Sequence, residues 1–223
     1  MNCFCYQHKE ECCQALAKRI AVSAQVAIAR HGRFSLVLTG GSTPELLYSF
    51  LAGEPWREKI DWQKTDIFFG DERCVPPDHQ HSNFRMASRS LLDNVPIPLE
   101  NVHRIKGEND PDDEAKRYEK KVIAKTAQRN KKSSFLFDYL LLGLGSDGHC
   151  ASLFPGEKSL SQISLVTAAA APKEMSPKVA RVSLTLKGIS MSTEVSFLVD
   201  GQANEEIVGK VLGDREEKYP ASM

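Results

Sequence analysis

At 223 residues, with 29 Lys plus Arg against 29 Asp plus Glu, the chain has no formal net charge, and its 41% hydrophobic and 26% charged residues are ordinary globular usage. This composition excludes disorder as the main state and argues against a surface built to coat nucleic acid or an anionic membrane, both of which need a basic excess. The length suits one large domain or two small ones, no apolar run approaches a membrane span, and no secretory leader opens the chain, so a cytoplasmic location is expected.

The first residues carry Cys3, Cys5, Cys12 and Cys13; the remaining two of six cysteines are Cys74 and Cys150. The N-terminal spacing lacks the separated C-x2-C knuckles of structural zinc, so no metal is expected there, and reduced cysteines packing as small apolar groups is the reading adopted. Glu11 to Arg30 has apolar residues at Leu16, Ile20, Ala24, Ala27 and Ile28, a helical period that His31 and Gly32 end. Phe34 to Thr39 is a short apolar run with a buried-strand pattern, followed by Gly40, Gly41, Ser42 and Thr43. A helix through Leu46, Leu47, Phe50 and Leu51 then starts, with Pro44 as its expected first residue. Thr65–Phe69 predicts a second strand ending at Gly70, Asp71, Glu72 and Arg73.

Ser82 to Leu92 predicts a helix, Val102–Ile105 a short strand and Pro111 to Arg129 a charged amphipathic helix. Asn130–Ser134 is a polar break. Phe135 to Leu142 is apolar on both faces except at Asp138, as in the interior of a covered sheet. Leu165–Ala171, Val179–Leu186 and Val195–Val199 are further strands, and Asn204–Leu212 a last helix; Lys218–Met223 shows no closing element. Strands alternating with helices imply β-α-β crossovers. The expected fold is therefore α/β, a mostly parallel, doubly wound sheet with helices on both faces, in a single domain over 1–223.

In such sheets the site lies beyond the carboxyl ends of the strands. Three loops stand there: Gly40–Pro44, Gly70–Pro77 and Gly143–His149. The first opens a helix, so its free N–H groups and the helix dipole favour an anion, and a phosphorylated ligand follows. It lacks the G-K-[ST] ending of a Walker A loop. Gly143 to Gly148 fits G-x-G-x-x-G, yet Pro155 and Gly156 cut the next helix short and no acidic residue ends the next strand, which excludes a dinucleotide fold. A serine elbow fails because Leu144 stands where its first glycine belongs. What remains is Asp147, Gly148 and His149. Histidine is the side chain suited to taking a proton from water near neutral pH, and the carboxylate two residues before it can orient it or hold its charge. Asp71, Glu72 and Arg73 supply charge at a second strand exit. Lys173, Lys178 and Arg181 precede a late strand, where a basic residue can clamp a phosphate.

Four blocks, in order, carry a family resemblance: Leu36-Val-Leu-Thr-Gly-Gly-Ser-Thr-Pro44; Phe69-Gly-Asp-Glu-Arg-Cys-Val-Pro76 with Ser82 and Asn83; Leu142-Gly-Leu-Gly-Ser-Asp-Gly-His149 through Gly156; and Arg181-Val-Ser-Leu-Thr185. They resemble the 6-phosphogluconolactonases, within the larger glucosamine-6-phosphate isomerase/deaminase-like group. The resemblance implies an α/β fold and hydrolysis of 6-phospho-D-glucono-1,5-lactone to 6-phosphogluconate, the second step of the oxidative pentose phosphate pathway. Its partner would be the small-molecule lactone, with no nucleic acid or membrane and no metal or organic cofactor. His149 would be base and then acid, with Asp147 orienting the loop or the imidazole. Asp71 and Arg73 would contact sugar hydroxyls or the developing oxyanion. Gly41, Ser42, Thr43, Asn83, Arg181 and either Lys173 or Lys178 would hold substrate and phosphate. Cys74 and Cys150 depart from the pattern, which has Trp and Thr at those places, and the pattern continues past Tyr219–Ser222 into a final strand. The rival deaminase reading requires an Asn-Glu-Pro-Gly run where this chain has Leu153, Phe154, Pro155 and Gly156. A non-catalytic sugar-phosphate sensor, from a third class, would bind the sugar phosphate without turning over lactone.

Overall fold

A computed structural model describes residues 2–127, 135–170, 176–213 and 219–223. Helix α1, Lys9–His31, is closed by Gly32 in the left-handed region (φ 86°), its N–H donating to Ile28 O. Strand β1, Phe34–Leu38, is buried at every position and leads into α2, Ser42–Ala52. Pro44 is therefore the third helical residue, not the first; it is tolerated because the whole first turn lacks intrahelical acceptors for its N–H groups. After the short α3, Trp56–Lys59, come β2, Thr65–Phe69, and β3, Asp71–Arg73. Helix α4, Asn83–Ser90, is capped by Ser82, whose hydroxyl accepts from Arg85 N. Then follow β4, Val102–His103, α5, Pro111–Ala127, and β5, Phe137–Leu142. The polar break at 130–134 and the possible phosphate ligand Lys173 lie outside the described residues.

The chain closes with β6, Val166–Ala169, β7, Arg181–Leu184, α6, Leu186–Ser190, β8, Ser192–Phe197, and α7, Gly201–Leu212. Five strands form one sheet in the order β4-β2-β1-β5-β8, every pairing parallel. This is the helix-flanked α/β architecture expected, with β5 in the interior between β1 and β8. Asp138, the polar exception in β5, accepts from both Ser35 N and Ser35 Oγ at 2.8 Å and meets His31 Nε2 at 2.9 Å.

The sheet is not the whole of the strand structure. β3, β7 and β6 form a separate antiparallel sheet in the order β3-β7-β6. β6 and β7 pair antiparallel with each other, Val166 opposite Leu184 and Ala169 opposite Arg181, as a connection too short for the crossover of a parallel pair allows. The two sheets share one apolar core, which includes Phe34, Leu36, Phe68 and Leu140 from one and Val166, Val182 and Leu184 from the other. The terminal residues also pack: Tyr219, Pro220 and Ala221 are buried, contrary to the expected loose tail. Of the cysteines, Cys13 and Cys150 are buried as expected, whereas Cys3 and Cys5 are exposed. Among the described residues no helix is long and apolar enough to cross a membrane.

Two tyrosines fix the places where β1 and β2 give way to loops. Tyr48 Oη, on α2, accepts from Thr39 N at 2.8 Å and donates to Thr39 O at 2.7 Å. Tyr118 Oη, on α5, does the same at Phe69, at 2.8 and 3.0 Å. Both side chains are fully buried, and burial raises both phenol pKa values, so each stays a neutral donor and acceptor. Each satisfies two backbone groups that leave the ladder one residue before the functional loops. Tyr48→Phe is expected to leave both Thr39 groups unpaired and to lower the unfolding free energy by about 2 kcal/mol in urea denaturation.

Candidate active site

The three loops meet through β3 and β7. In their antiparallel register Asp71 faces Ser183 and Arg73 faces Arg181. Side chains alternate along a strand, so these four share one face and Glu72 takes the other. Glu72 is buried and its carboxylate gathers the start of α4: Oε1 accepts from Asn83 N at 2.7 Å and Arg73 N at 2.8 Å, and Oε2 from Phe84 N at 2.8 Å and Ser82 Oγ at 3.0 Å. Burial raises its pKa while those four hydrogen bonds act to lower it. Glu72 is thus an internal cap that presents its neighbours Asp71 and Arg73 to the opposite side.

Asn83, expected among the substrate-binding groups, has its amide engaged by protein. Its Oδ1 accepts from Arg73 Nη1 at 2.6 Å, and its Nδ2 donates to Asp71 O at 2.9 Å. It is 2% exposed and lies against Gly40, where a Cβ would stand 2.1 Å from Asn83 Oδ1. Only glycine at 40 lets the first loop come this close to the second. Asp71 is likewise buried, with Oδ2 accepting from Ser152 Oγ at 2.7 Å and Oδ1 from Asn83 Nδ2 at 3.3 Å. Ser152 N in turn donates to Ser183 Oγ at 3.1 Å, which ties the stretch after His149 to the small sheet.

Arg181 is 3% exposed, and its side chain makes no hydrogen bond or ion pair among the described residues; its Nε is buried without a partner, as is the Nε of Arg73. Burial, joined by the charge of Arg73, lowers the Arg181 pKa, and Asp71 acts in the opposite sense. Two guanidinium groups on facing positions repel one another. An anion bound between them and the loops would relieve that repulsion and use the vacant donors. The start of α2 offers further donors: Glu45 N is the first to bond back, to Gly41 O at 3.1 Å, which leaves the Gly41, Ser42 and Thr43 N–H groups free of intrahelical acceptors. Ser42 is exposed and Thr43 half-buried, while Lys178 is exposed, three residues before Arg181.

The third loop is closed on itself. Gly145 N donates to His149 O and Gly148 N to Gly145 O, both at 2.9 Å. Asp147 Oδ1 accepts from His149 N at 3.1 Å and meets the ring Nδ1 at 2.6 Å. Burial opposes the Asp147 charge, yet the bonds from His149 outweigh it and hold the carboxyl below its ordinary range. With Nδ1 occupied, Nε2 is the ring nitrogen without a hydrogen-bond partner among the described residues, on an imidazole whose side chain is 20% exposed. Gly148 adopts φ 85°, and a Cβ there would stand 2.4 Å from the Tyr219 ring. Cys150, next in sequence, is no rival nucleophile: burial and the nearby Asp71 push its thiol up to about 12. Phe154 completes the group, its ring centroid 4.7 Å from that of His149 and 5.7 Å from Arg181 Cζ. Glu72, Ser152, Phe154 and Tyr219 carry structural parts that the sequence does not reveal: Glu72 reaches the start of α4 some ten residues on, whereas Ser152 meets Asp71 and Ser183, Phe154 meets Arg181 and Tyr219 meets Gly148 from segments distant in sequence.

A family model described as glucosamine-6-phosphate isomerases/6-phosphogluconolactonase matches residues 7–223. The chain belongs to this family. It is 33% identical over 220 residues to the 6-phosphogluconolactonase of Haemophilus influenzae, covering 99% of this chain and 89% of that relative. It is 38% identical over 199 residues to that of Synechocystis, covering 87% of this chain and 79% of the relative. The solved 6-phosphogluconolactonase of Trypanosoma cruzi superposes with a TM-score of 0.83 at 32% identity, over 96% of this chain and 86% of that one. A monomeric glucosamine-6-phosphate deaminase superposes with a TM-score of 0.85 at 22% identity, over 100% of this chain and 92% of that one, which is a likeness of fold alone.

Two outcomes are expected at the histidine loop. Gly145→Ala would set a Cβ 2.1 Å from His149 Cε1 and Nδ1; displacing the imidazole should lower turnover by at least ~10²-fold, with little change in melting temperature. Because its folded pKa is depressed, the stability from Asp147 is complete above the ordinary carboxylate value and is lost only as pH falls through the folded one. Asp147→Asn should therefore lower the unfolding free energy at neutral pH and lose that difference from the wild type as pH falls through the acid range, read from denaturation midpoints against pH.

Proposed function

We propose that this chain hydrolyses 6-phospho-D-glucono-1,5-lactone to 6-phosphogluconate in the pentose phosphate pathway, with His149 activating water. Membership of the family and the names of its relatives support the substrate. The observation that carries the mechanism is the His149 ring, held at Nδ1 by Asp147 and with no partner at Nε2 among the described residues, packed on the same Phe154 ring as the buried Arg181, whose Nε likewise has no partner among them.

A lactone is an activated ester. Water loses a proton to His149 Nε2 as its oxygen attacks C1, giving a tetrahedral oxyanion. Collapse breaks the bond from C1 to the ring oxygen, and the imidazolium returns its proton to that leaving oxygen. One residue serves as base and then acid, and Asp147 stabilises the charged imidazolium between the two steps. Arg181 and the N–H groups of Gly41, Ser42 and Thr43 hold the 6-phosphate, with Lys178 adding charge at the rim; Arg73 faces the sugar or the oxyanion. Binding a remote phosphate orients the ring and offsets the entropic cost of placing C1 beside the base. Asp71 and Asn83 act through their neighbours, since their polar atoms are engaged with Ser152 and Arg73. The isomerase and deaminase branch uses a carboxylate where Phe154 stands, so this site lacks the group that would assist proton transfer in ring opening.

The deciding assay generates the lactone in situ and follows its loss against spontaneous hydrolysis. His149→Asn is expected to cut turnover by roughly 10²–10⁴ with little effect on KM; near-normal turnover in the folded variant would overturn the role given to His149. Arg181→Ala should raise KM more than it lowers turnover, because the phosphate contact is felt in ground and transition states alike.

A further inference from the structure

Phe154 touches both halves of the site. It is 2% exposed, and its ring lies at a 46° tilt to the His149 imidazole with centroids 4.7 Å apart. The same ring lies 5.7 Å from Arg181 Cζ, within the range in which a guanidinium is drawn to an aromatic face. Neither contact uses a hydrogen-bonding atom. A carboxylate partner would orient Arg181 equally well, but it would neutralise the charge and occupy the donors that an anion needs. An aromatic ring does neither. At His149 the division is similar: Asp147 takes Nδ1, Phe154 takes one side of the ring, and Nε2 is left for water.

The segment that carries Phe154 is itself anchored. Ala151 turns the chain with φ 50°, Leu153 N donates to Cys150 O at 3.0 Å, and Ser152 is bonded to Asp71 and Ser183. The ring is therefore fixed to the small sheet that bears Arg181 and to the loop that bears His149.

We propose that Phe154 is a positioning residue for lactone hydrolysis, a single ring that sets the distance between the proton-transferring histidine and the arginine that holds the substrate's phosphate. The proposal rests on the lactonase reading given above. It requires that one substitution disturb both phosphate affinity and turnover. Loss of the ring in Phe154→Leu should weaken binding of 6-phosphogluconate, measured by calorimetry, by about 3- to 30-fold, the strength of a partly to fully desolvated cation–ring contact. Turnover of the lactone should fall by roughly tenfold or more as the imidazole loses its stop. Pentafluorophenylalanine incorporated in place of Phe154 keeps the shape and reverses the ring's charge distribution. It should weaken 6-phosphogluconate binding with little change in melting temperature, and it decides the matter if Phe154→Leu does not fold.

In Phe154→Leu, a fall in turnover with unchanged affinity would mean that the ring serves His149 alone, and a fall in affinity with unchanged turnover that it serves Arg181 alone; either overturns the shared-ring proposal. Wild-type affinity and turnover in the fluorinated protein would overturn it as well. A wild-type protein that binds 6-phosphogluconate yet does not speed lactone loss refutes the lactonase reading and, with it, the link from the ring to turnover. The affinity change in the variants then reports on the guanidinium contact alone.

Discussion

Two arginines face one another across a pair of antiparallel strands, and one of them, Arg181, is buried with no hydrogen-bond or ion-pair partner among the described residues. Burying an unpaired charge is costly, and a second like charge opposite adds to the cost. Such an arrangement is stable only because the fold overdetermines it. Arg73 is held by Asn83 and by the His81 carbonyl, and Asn83 is held by Glu72 through its backbone N–H. Arg181 is held by its strand and by the face of Phe154. On the proposed function, the substrate's phosphate would enter a site where this repulsion is already present, and its binding would relieve it.

Delivery of this geometry depends on how the parallel sheet ends. β1 and β2 run side by side in register, from Phe34 beside Thr65 to Leu38 beside Phe69. Their exits therefore lie next to each other, and Tyr48 and Tyr118 satisfy the backbone there so that the chain can leave the ladder without stranding buried polar groups. Beyond β2 the chain immediately becomes β3, which recruits β7 and so brings Arg181 to the same place. The small sheet is thus the device that carries residues of the last quarter of the chain to a site otherwise built from strand exits.

Glycine enters this construction where backbone must touch side chain. Gly40 admits Asn83, Gly145 admits the imidazole and Gly148 admits Tyr219. These contacts account for why the His149 loop is compact enough to hold Asp147 and His149 two residues apart in one hydrogen-bonded unit. They also connect the buried Tyr219 to the His149 loop.

Much of this was legible in the residues. Apolar runs located the strands, helical periodicity located α1, α2 and α5, and the glycine- and charge-rich loops after strands marked where chemistry would be. These signals are local: period, composition and the type of residue that follows a strand. The sequence could likewise place Asp147 beside His149, because their partnership spans two positions. It could not tell that Asp71 to Arg73 form a strand, since a three-residue polar segment acquires that state only from pairing with Arg181–Leu184 more than a hundred residues later. Nor could it distinguish the carboxylate that faces the site from the one that caps a helix, as Asp71 and Glu72 are adjacent and equally acidic. The pleat separates them, sending one side chain to each face. The engaged amide of Asn83, the buried Arg181 Nε without a partner among the described residues, and the ring of Phe154 against both His149 and Arg181 are likewise facts of tertiary structure. Each depends on how separate loops and strands meet in space, which periodicity and composition do not encode.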